Sequence, residues 1–220
     1  LVLSYSALTY NRNLDWRDAF SLWDDTVEKS GKKARAYLNR GLAYYYQGSI
    51  QNAMRDYNKA LELFPNYADA YYNRGIVYVR LDNIRQAISD WDRAIKIKPD
   101  YSKAYYNRAV AYYNKGEYRQ ALDDLNKTIS LNNKDALAYN SRGALYYRQG
   151  NMCQAISDLS RAIEIDPASA SAYYHRSLAY FQEKEYNKSL KDARQAVALG
   201  YGLAGDLLQR IRMAIENQVP

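Results

Sequence analysis

Arginine and aspartate recur along this chain at a fixed separation, and they are the first residues to consider for chemistry. The arginines stand every 34 residues, and each is followed sixteen residues later by an aspartate. A row of arginines alone could bind nucleic acid or phosphate, but a matched carboxylate indicates a charge-assisted hydrogen bond within the chain. We therefore predict five structural ion pairs: Arg40–Asp56, Arg74–Asp90, Arg108–Asp124, Arg142–Asp158 and Arg176–Asp192.

The sequence lacks the residue patterns of catalytic and metal-binding sites. His175 is the only histidine and Cys153 the only cysteine, and neither belongs to a set of ligands at metal-binding spacing. There is no phosphate-binding loop, nucleophile motif or zinc pattern. We expect a non-enzymatic protein without cofactor or metal. In it, His175 contacts a ligand or has a structural role, and Cys153 faces solvent at the start of a helix.

The composition bears on partners and location. The chain has 31 basic and 24 acidic residues, and its net charge of +7 is dispersed rather than gathered in a run of Lys or Arg. No nucleic-acid partner is therefore expected, with single-stranded RNA kept as a minor alternative. We find no apolar run of transmembrane length and no signal peptide. Because the first residue is Leu1, we expect a fragment of a longer chain, soluble as given or the soluble domain of a membrane protein.

The 34-residue separation belongs to a repeat of the whole sequence. The stretch from Ala68 to Tyr101 contains two stripes of apolar and small residues at helical spacing, separated by Asp82-Asn83 and ended by Pro99. Each unit therefore predicts two antiparallel helices of about 14 residues joined by a short turn. Small residues of the first helix recur beside bulky residues of the second, which predicts close packing: Gly41, Gly75, Ala109, Gly143 and Ser177 beside Tyr57, Trp91, Leu125 and Leu159.

This pattern of aromatic residues, Gly, Ala and Pro resembles the tetratricopeptide repeat (TPR) family. The resemblance implies an all-α fold, a right-handed superhelix (α-solenoid) of TPR helix-turn-helix hairpins. We expect a divergent partial repeat at residues 1–33, followed by repeats at 34–67, 68–101, 102–135, 136–169 and 170–201. Residues 202–220 predict a C-terminal capping helix whose apolar face carries Leu203, Leu207, Leu208, Ile211 and Ile215.

In a TPR array the first helix of each hairpin lines a concave groove, and the resemblance implies that its exposed side binds a ligand. Some members hold the backbone of an extended peptide with a series of asparagines, whose amide matches the N–H and C=O of a peptide unit. We predict a peptide-binding groove with Asn39, Asn73, Asn107, Ser141 and His175 in series, walled by Tyr45, Tyr72, Tyr106, Tyr113, Tyr147, Tyr174 and Phe181. The alternative is that some of these aromatic residues only pack against neighbouring repeats.

The predicted function is a protein-protein interaction scaffold or adaptor that binds an extended peptide or protein segment. One alternative is a self-assembling TPR module that forms a homo-oligomer. Another is the accessory TPR domain of a membrane-bound glycosyltransferase-like protein. The segment from Tyr10 to Asp18, with Leu22-Trp23 after it, resembles the junction between the membrane-embedded part and the TPRs of such proteins. In that alternative Leu1-Val-Leu is the tail of a membrane helix, and a missing N-terminal region is the only link to a membrane.

Overall fold

The computed structural model describes residues 20–29 and 31–216. These residues form twelve α-helices and no β-strand, so the predicted all-α class built from helical hairpins is confirmed. Helix α1 covers residues 20–29 as far as the chain is described. The others are α2 (Ala34–Tyr46), α3 (Ile50–Leu63), α4 (Ala68–Arg80), α5 (Ile84–Ile97), α6 (Ser102–Asn114), α7 (Tyr118–Leu131), α8 (Ala136–Arg148), α9 (Met152–Ile165), α10 (Ala170–Gln182), α11 (Tyr186–Ala198) and α12 (Ala204–Glu216).

The turns between paired helices share one backbone feature. In each hairpin from α2–α3 to α10–α11, one residue of the turn has a positive φ between 56° and 80°, a conformation that is easiest for glycine. Three of the five positions are glycine, and the other two are Asp82 and Lys184. At the start of α5 and α9, the side chains of Asn83 and Asn151 accept hydrogen bonds from backbone N–H groups of the first turn, which caps these helices.

The chain divides into two compact units, the first ending at Ala104 and the second beginning at Tyr105. In the first unit, α2 packs on α3, α3 on α4 and α4 on α5. The small first-helix residues permit this close approach, since a Cβ atom on Gly41 would lie 2.8 Å from Tyr57 Cε1. At Gly75 it would lie 2.6 Å from Trp91 Nε1.

The second unit repeats this packing with different residue pairs. Ala109 of α6 joins Leu125 of α7 in one buried cluster, and a Cβ atom on Gly143 of α8 would lie 2.7 Å from Leu159 Cγ. The last hairpin replaces the small apolar pair by two buried serines. The hydroxyl of Ser177 donates to the carbonyl of Ser189 at 2.8 Å, and the Ser189 hydroxyl donates to the Ser177 carbonyl at 2.8 Å. Each hydroxyl buried there is therefore hydrogen-bonded.

Helix α12 covers the end of the second unit. It packs against α11 and α10, and its buried residues are Ala204, Leu207 and Ile211. Leu208 and Ile215 pack beside this cluster. One expected member is wrong, because Leu203 lies in the turn before the helix and is 63% exposed. Ala204, one residue later, takes the buried position that the sequence suggested for Leu203.

Two sequence-based expectations concern residues outside the described range. The segment from Tyr10 to Asp18 and the Leu1-Val-Leu start both lie before residue 20, so the glycosyltransferase-like junction is outside the described residues. Helix α1 is described, and its Phe20 ring lies edge-on to Tyr44 of α2 with the ring centroids 5.0 Å apart. Over residues 20–29 and 31–216, no helix is long and apolar enough to span a membrane.

Candidate functional site

Each of the five arginines lies beside the aspartate that the sequence pairs with it. The guanidinium Nε and Nη2 atoms donate to the two carboxylate oxygens at 2.6–2.9 Å in all five pairs. The aspartates are only 2–6% exposed. This two-point geometry is the strong form of an arginine–carboxylate contact, and it joins the first helix of each hairpin to the second.

A third contact of the arginines extends to the preceding hairpin. The Nη1 atom of Arg40 donates to Asp24 at 2.8 Å, and Nη1 of Arg74 donates to Asn58 at 2.7 Å. In the second unit the matching bonds run from Arg142 to Asn126 at 2.7 Å and from Arg176 to Ser160 at 2.9 Å. The sequence analysis missed these partners because their residue type varies, although they too are 34 residues apart. One guanidinium group therefore fixes both the hairpin and its neighbour.

Each of these guanidinium groups also lies between two tyrosine rings of its own helix. The rings belong to the residues three before and four after the arginine, and their centroids are 5.4–5.9 Å from the Cζ atom. The hydrogen bond to the aspartate raises the pKa of Arg40 and of Arg142 above the ordinary value. With their charge paired and their faces covered, the arginines do not form an open basic strip for phosphate.

In the first unit, three of the predicted groove residues line one cavity of about 440 Å³. They are Asn39 of α2 and Tyr72 and Asn73 of α4, and Leu38 and Leu42 complete the wall on α2. Asn73 Nδ2 donates to the backbone carbonyl of Asp69 at 2.9 Å, which leaves its Oδ1 atom and its second N–H for a ligand. Tyr45 is not in the lining; its ring packs on Tyr46, at 5.7 Å between centroids.

The rest of this cavity comes from residues that the sequence analysis did not assign to the groove. Lys98 and Tyr101 come from the segment between α5 and α6, and Ser102 and Lys103 from the start of α6. The Tyr101 hydroxyl donates to Asp69 Oδ1 at 2.7 Å, and its ring lies 4.9 Å from that of Tyr72. Burial, together with that hydrogen bond, raises the pKa of Tyr101. The period gives only a weak signal for Tyr101, because Tyr67 stands at the same repeat position but the next two repeats have Asp135 and Ser169 there.

In the second unit, four predicted residues line a second cavity, of about 330 Å³: Tyr106, Tyr113, Ser141 and His175. The Tyr106 and Ser141 hydroxyl oxygens are 3.3 Å apart and share a hydrogen bond. His175 Nδ1 lies 3.1 Å from Asn140 Oδ1, and Asn140 Nδ2 donates to Ser171 Oγ at 3.2 Å. Burial lowers the pKa of His175, which favours the neutral imidazole. Asn140 was not predicted, since only the next residue, Ser141, was in the asparagine series.

The other predicted residues of this unit are not brought into that cavity. Tyr147 packs against the cluster around Leu159, while Tyr174 and Phe181 pack against the cluster that includes α12. Tyr174 also lies 4.8 Å from the ring of Tyr201. Asn107 is half-buried on α6 and has a contact of its own. Tyr147, Tyr174 and Phe181 therefore have packing contacts of the kind expected if some of the aromatic residues serve only to pack neighbouring repeats together.

Cys153, which was considered for chemistry, has surroundings that fit a simpler role. Cys153 is exposed near the start of α9, as the sequence analysis expected. In the described part of the chain, no group of His, Cys, Asp and Glu side chains is arranged to hold a metal ion.

Comparisons with solved structures find the same fold in several proteins. YrrB, which is described as a TPR protein with an unusual peptide-binding site, is 24% identical with a TM-score of 0.71, over 85% of this chain and 97% of its own. MamA is 26% identical with a TM-score of 0.69, over 77% of this chain and 92% of its own. PilF of Pseudomonas aeruginosa is 18% identical with a TM-score of 0.73, over 83% of this chain and 86% of its own. A search of the curated proteins gave no match.

Family models match most of the repeated region. A model described as TPR repeat matches residues 41–82 and 146–184. Two models described as tetratricopeptide repeat match residues 68–101 and 102–135 and residues 170–199. Proteins with this repeat are generally non-catalytic scaffolds for protein interactions, which agrees with the surface described above. The helical hairpins, their 34-residue period and these matches place the chain in the tetratricopeptide repeat family.

Proposed function

We propose that this protein is a non-enzymatic interaction scaffold that binds an extended peptide or protein segment along the exposed side of its first helices. This side is called the first-helix face below, and it belongs to α2 and α4 in the first unit and to α6, α8 and α10 in the second. The observation that carries the proposal is that each unit has a cavity on this face, lined by side chains of successive first helices.

The first-unit cavity offers the groups that an extended backbone needs. Asn39 and Asn73 are on neighbouring helices of its wall, and each amide can donate to a carbonyl and accept from an N–H. Lys98 and Lys103 are in the same lining, where they favour a segment with acidic side chains. Leu38, Leu42 and Tyr72 supply apolar contact. This mixture of a few polar groups with apolar walls is typical of peptide-binding sites.

The packed frame beneath this face would keep the site pre-organised. The arginine–aspartate pairs and the additional Nη1 bonds fix the first helices against their neighbours in each unit. A rigid surface loses little conformational entropy on binding, so modest contacts can give useful affinity. Each hydrogen bond adds only about 0.5–1.5 kcal/mol, which means that several must act together with apolar burial.

The test is recovery of peptides from a displayed random library by the wild-type chain and by the double variant Asn39→Ala, Asn73→Ala, which changes the two asparagines of the first-unit cavity. We expect binding of the recovered peptides to weaken by about 1–3 kcal/mol, which is roughly fivefold to a hundredfold in Kd. The matched control is Asn133→Ala, Asn187→Ala, which removes two exposed asparagines outside the first helices. Equal affinity of wild type and both variants for the same peptides would count against the proposal.

A second candidate is self-association through the end of the second unit. Leu203 and Met213 there are 63% and 55% exposed. Leu199, which precedes Leu203 by four residues, is exposed as well. Exposed apolar side chains of this size favour contact with a second copy. Light scattering over a range of protein concentration separates the two candidates, because a pure peptide binder keeps the mass of one chain throughout.

A further inference from the structure

The cavity of the second unit is present because the fourth repeat has small residues where the other repeats have large ones. At the position of Asn140 the other four repeats have tyrosine or leucine, and at the position of Ala144 they have leucine, isoleucine or valine. Both residues line the cavity. The replaced side chains are Leu38, Tyr72, Tyr106 and Tyr174 at the first position, and Leu42, Ile76, Val110 and Leu178 at the second.

The interior of this cavity is apolar even though polar residues take part in its wall. Ala109 and Leu125 are 1% and 3% exposed, and Val110 is 37% exposed at the opening. Two of the polar groups of the wall are paired with each other, since the Tyr106 and Ser141 hydroxyls share one bond. The amide of Asn140 bridges His175 and Ser171 through both of its ends. A ligand group that entered would therefore meet mostly carbon atoms.

A cation lies at the edge of the cavity. Tyr113 is part of the lining, and Arg148 Nη1 approaches its hydroxyl oxygen at 3.5 Å, with the guanidinium 5.7 Å from the ring centroid. Arg148 is exposed, and within the described part of the chain it forms no salt bridge with a carboxylate. None of the residues that line the cavity is Asp, Glu, Lys or Arg. A carboxylate beside the cavity could therefore contact the guanidinium group of Arg148.

We infer that this cavity binds one bulky apolar side chain, aromatic or branched, of an extended peptide that carries an acidic residue next to it. The inference rests on the proposed function and names the kind of peptide that the second unit would select. The volume of about 330 Å³ is at the low end of the range of about 300–1,000 Å³ for small-ligand sites, which suits one large side chain. The acidic neighbour contacts Arg148 at the edge.

Filling the cavity is the sharpest test, because the chain itself supplies the substitutions. Ala144→Leu introduces the residue found at Leu42 and Leu178, and Ala144→Val introduces the residue found at Val110. The control Ala198→Leu adds the same leucine at an exposed position of α11. Circular dichroism and thermal unfolding establish that each variant is folded, and the valine variant serves if the leucine variant is not.

Random dodecapeptides on phage are selected against the wild type, and the enriched peptides are synthesised for affinity measurements. We expect a consensus with Phe, Trp, Tyr, Leu or Ile next to Asp or Glu. Ala144→Leu should weaken binding about tenfold to a hundredfold, Ala144→Val less, and Ala198→Leu by less than about twofold. Arg148→Glu should weaken it about two- to fivefold, and a peptide with Lys in place of its acidic residue should restore it.

The remaining outcomes separate the two proposals. Enrichment of peptides without a bulky apolar residue, or affinity for Ala144→Leu within twofold of wild type, would overturn the cavity assignment and leave the peptide-binding scaffold intact. Failure of the wild type to enrich any peptide above an unrelated helical protein would overturn both.

Discussion

At the scale of single residues, the arginine of each repeat carries an unusual number of contacts. Arg142 makes a two-point bond to Asp158, a third bond to Asn126, and contacts with the faces of Tyr139 and Tyr146. Its side chain is 18% exposed, and Asp158 is buried. A charge removed from water to this extent is stable only while its partners remain in place.

Removing one partner of this pair should therefore cost more than an exposed pair ever contributes. We expect Asp158→Ala to lower the free energy of unfolding by about 3–5 kcal/mol, because Arg142 is left half-buried without its carboxylate. The double variant with Arg142→Ala should cost clearly less than the sum of the two single variants. Urea denaturation of the four proteins measures this coupling.

The matched control is the exposed pair Arg161–Glu164, 2.8 Å apart on the next helix. Its side chains are in water, so we expect Glu164→Ala and its cycle with Arg161→Ala to change stability by less than about 1 kcal/mol. A coupling at Arg142–Asp158 no larger than that of the control pair would contradict the structural role assigned to the five pairs.

The neutral histidine gives a pH dependence of known sign. Burial lowers the pKa of His175 below its ordinary value of 6.5, so in acid the unfolded chain binds a proton that the folded chain resists. The contribution of His175 to the free energy of unfolding should therefore be greatest above about pH 7 and should fall as the pH drops toward about 5. Because His175 is the only histidine, His175→Gln should remove this slope. An identical slope in both proteins, measured by urea denaturation, would be inconsistent with a neutral buried imidazole.

At the scale of helices, the contact between the two members of a hairpin depends on residue pairs that must be exchanged together. A Cβ atom on Gly75 would lie 2.6 Å from Trp91 Nε1, and that nitrogen is held by a hydrogen bond to the Tyr72 carbonyl at 3.2 Å. In the third repeat, the residues equivalent to Gly75 and Trp91 are Ala109 and Leu125, which are both buried. The chain thus contains its own compensating pair.

We expect Gly75→Ala to destabilise the protein by about 1–3 kcal/mol, because the added methyl group overpacks against the indole. In a Trp91→Leu background this cost should vanish, since the pair then matches Ala109 and Leu125. The control is Gly205→Ala in α12, where no heavy atom lies within 4 Å of the added Cβ. That variant should gain about 0.5–1 kcal/mol of helix stability. Thermal unfolding measures all four, and a Gly75→Ala cost that is unchanged by Trp91→Leu would refute the packing argument.

Helix pairs and ion pairs could be predicted from the sequence because they depend on residue types that repeat. Helix lengths of 13–14 residues follow from the apolar stripes and the turn residues. The Nη1 bonds could not be predicted in this way, since their acceptors are Asp24, Asn58, Asn126 and Ser160 and any short polar residue suffices. The position of Leu203 was wrong because the last helix begins one residue later, a shift that periodicity alone does not fix.

At the scale of the whole molecule, each unit has its own buried core and its own cavity on the first-helix face. The sequence indicated Asn39, Asn73, Tyr106 and His175 for this face because their chemistry is visible in their side chains. It did not indicate the second cavity. That cavity exists because Asn140 and Ala144 are smaller than the residues at the same positions of the other repeats. A search for reactive or polar residues passes over such a site, whereas a comparison of equivalent repeat positions finds it.

The central claim, that a peptide binds along the first-helix face, is tested most directly by site-specific photo-crosslinking. A benzophenone amino acid is placed at Tyr72 or Tyr113 on first helices, and at Arg85 or Cys153, which are exposed on second helices. With a peptide selected on the wild type, we expect crosslinks from at least one of the first two positions and none above background from the last two. Equal or stronger crosslinking from Arg85 and Cys153 would contradict the account.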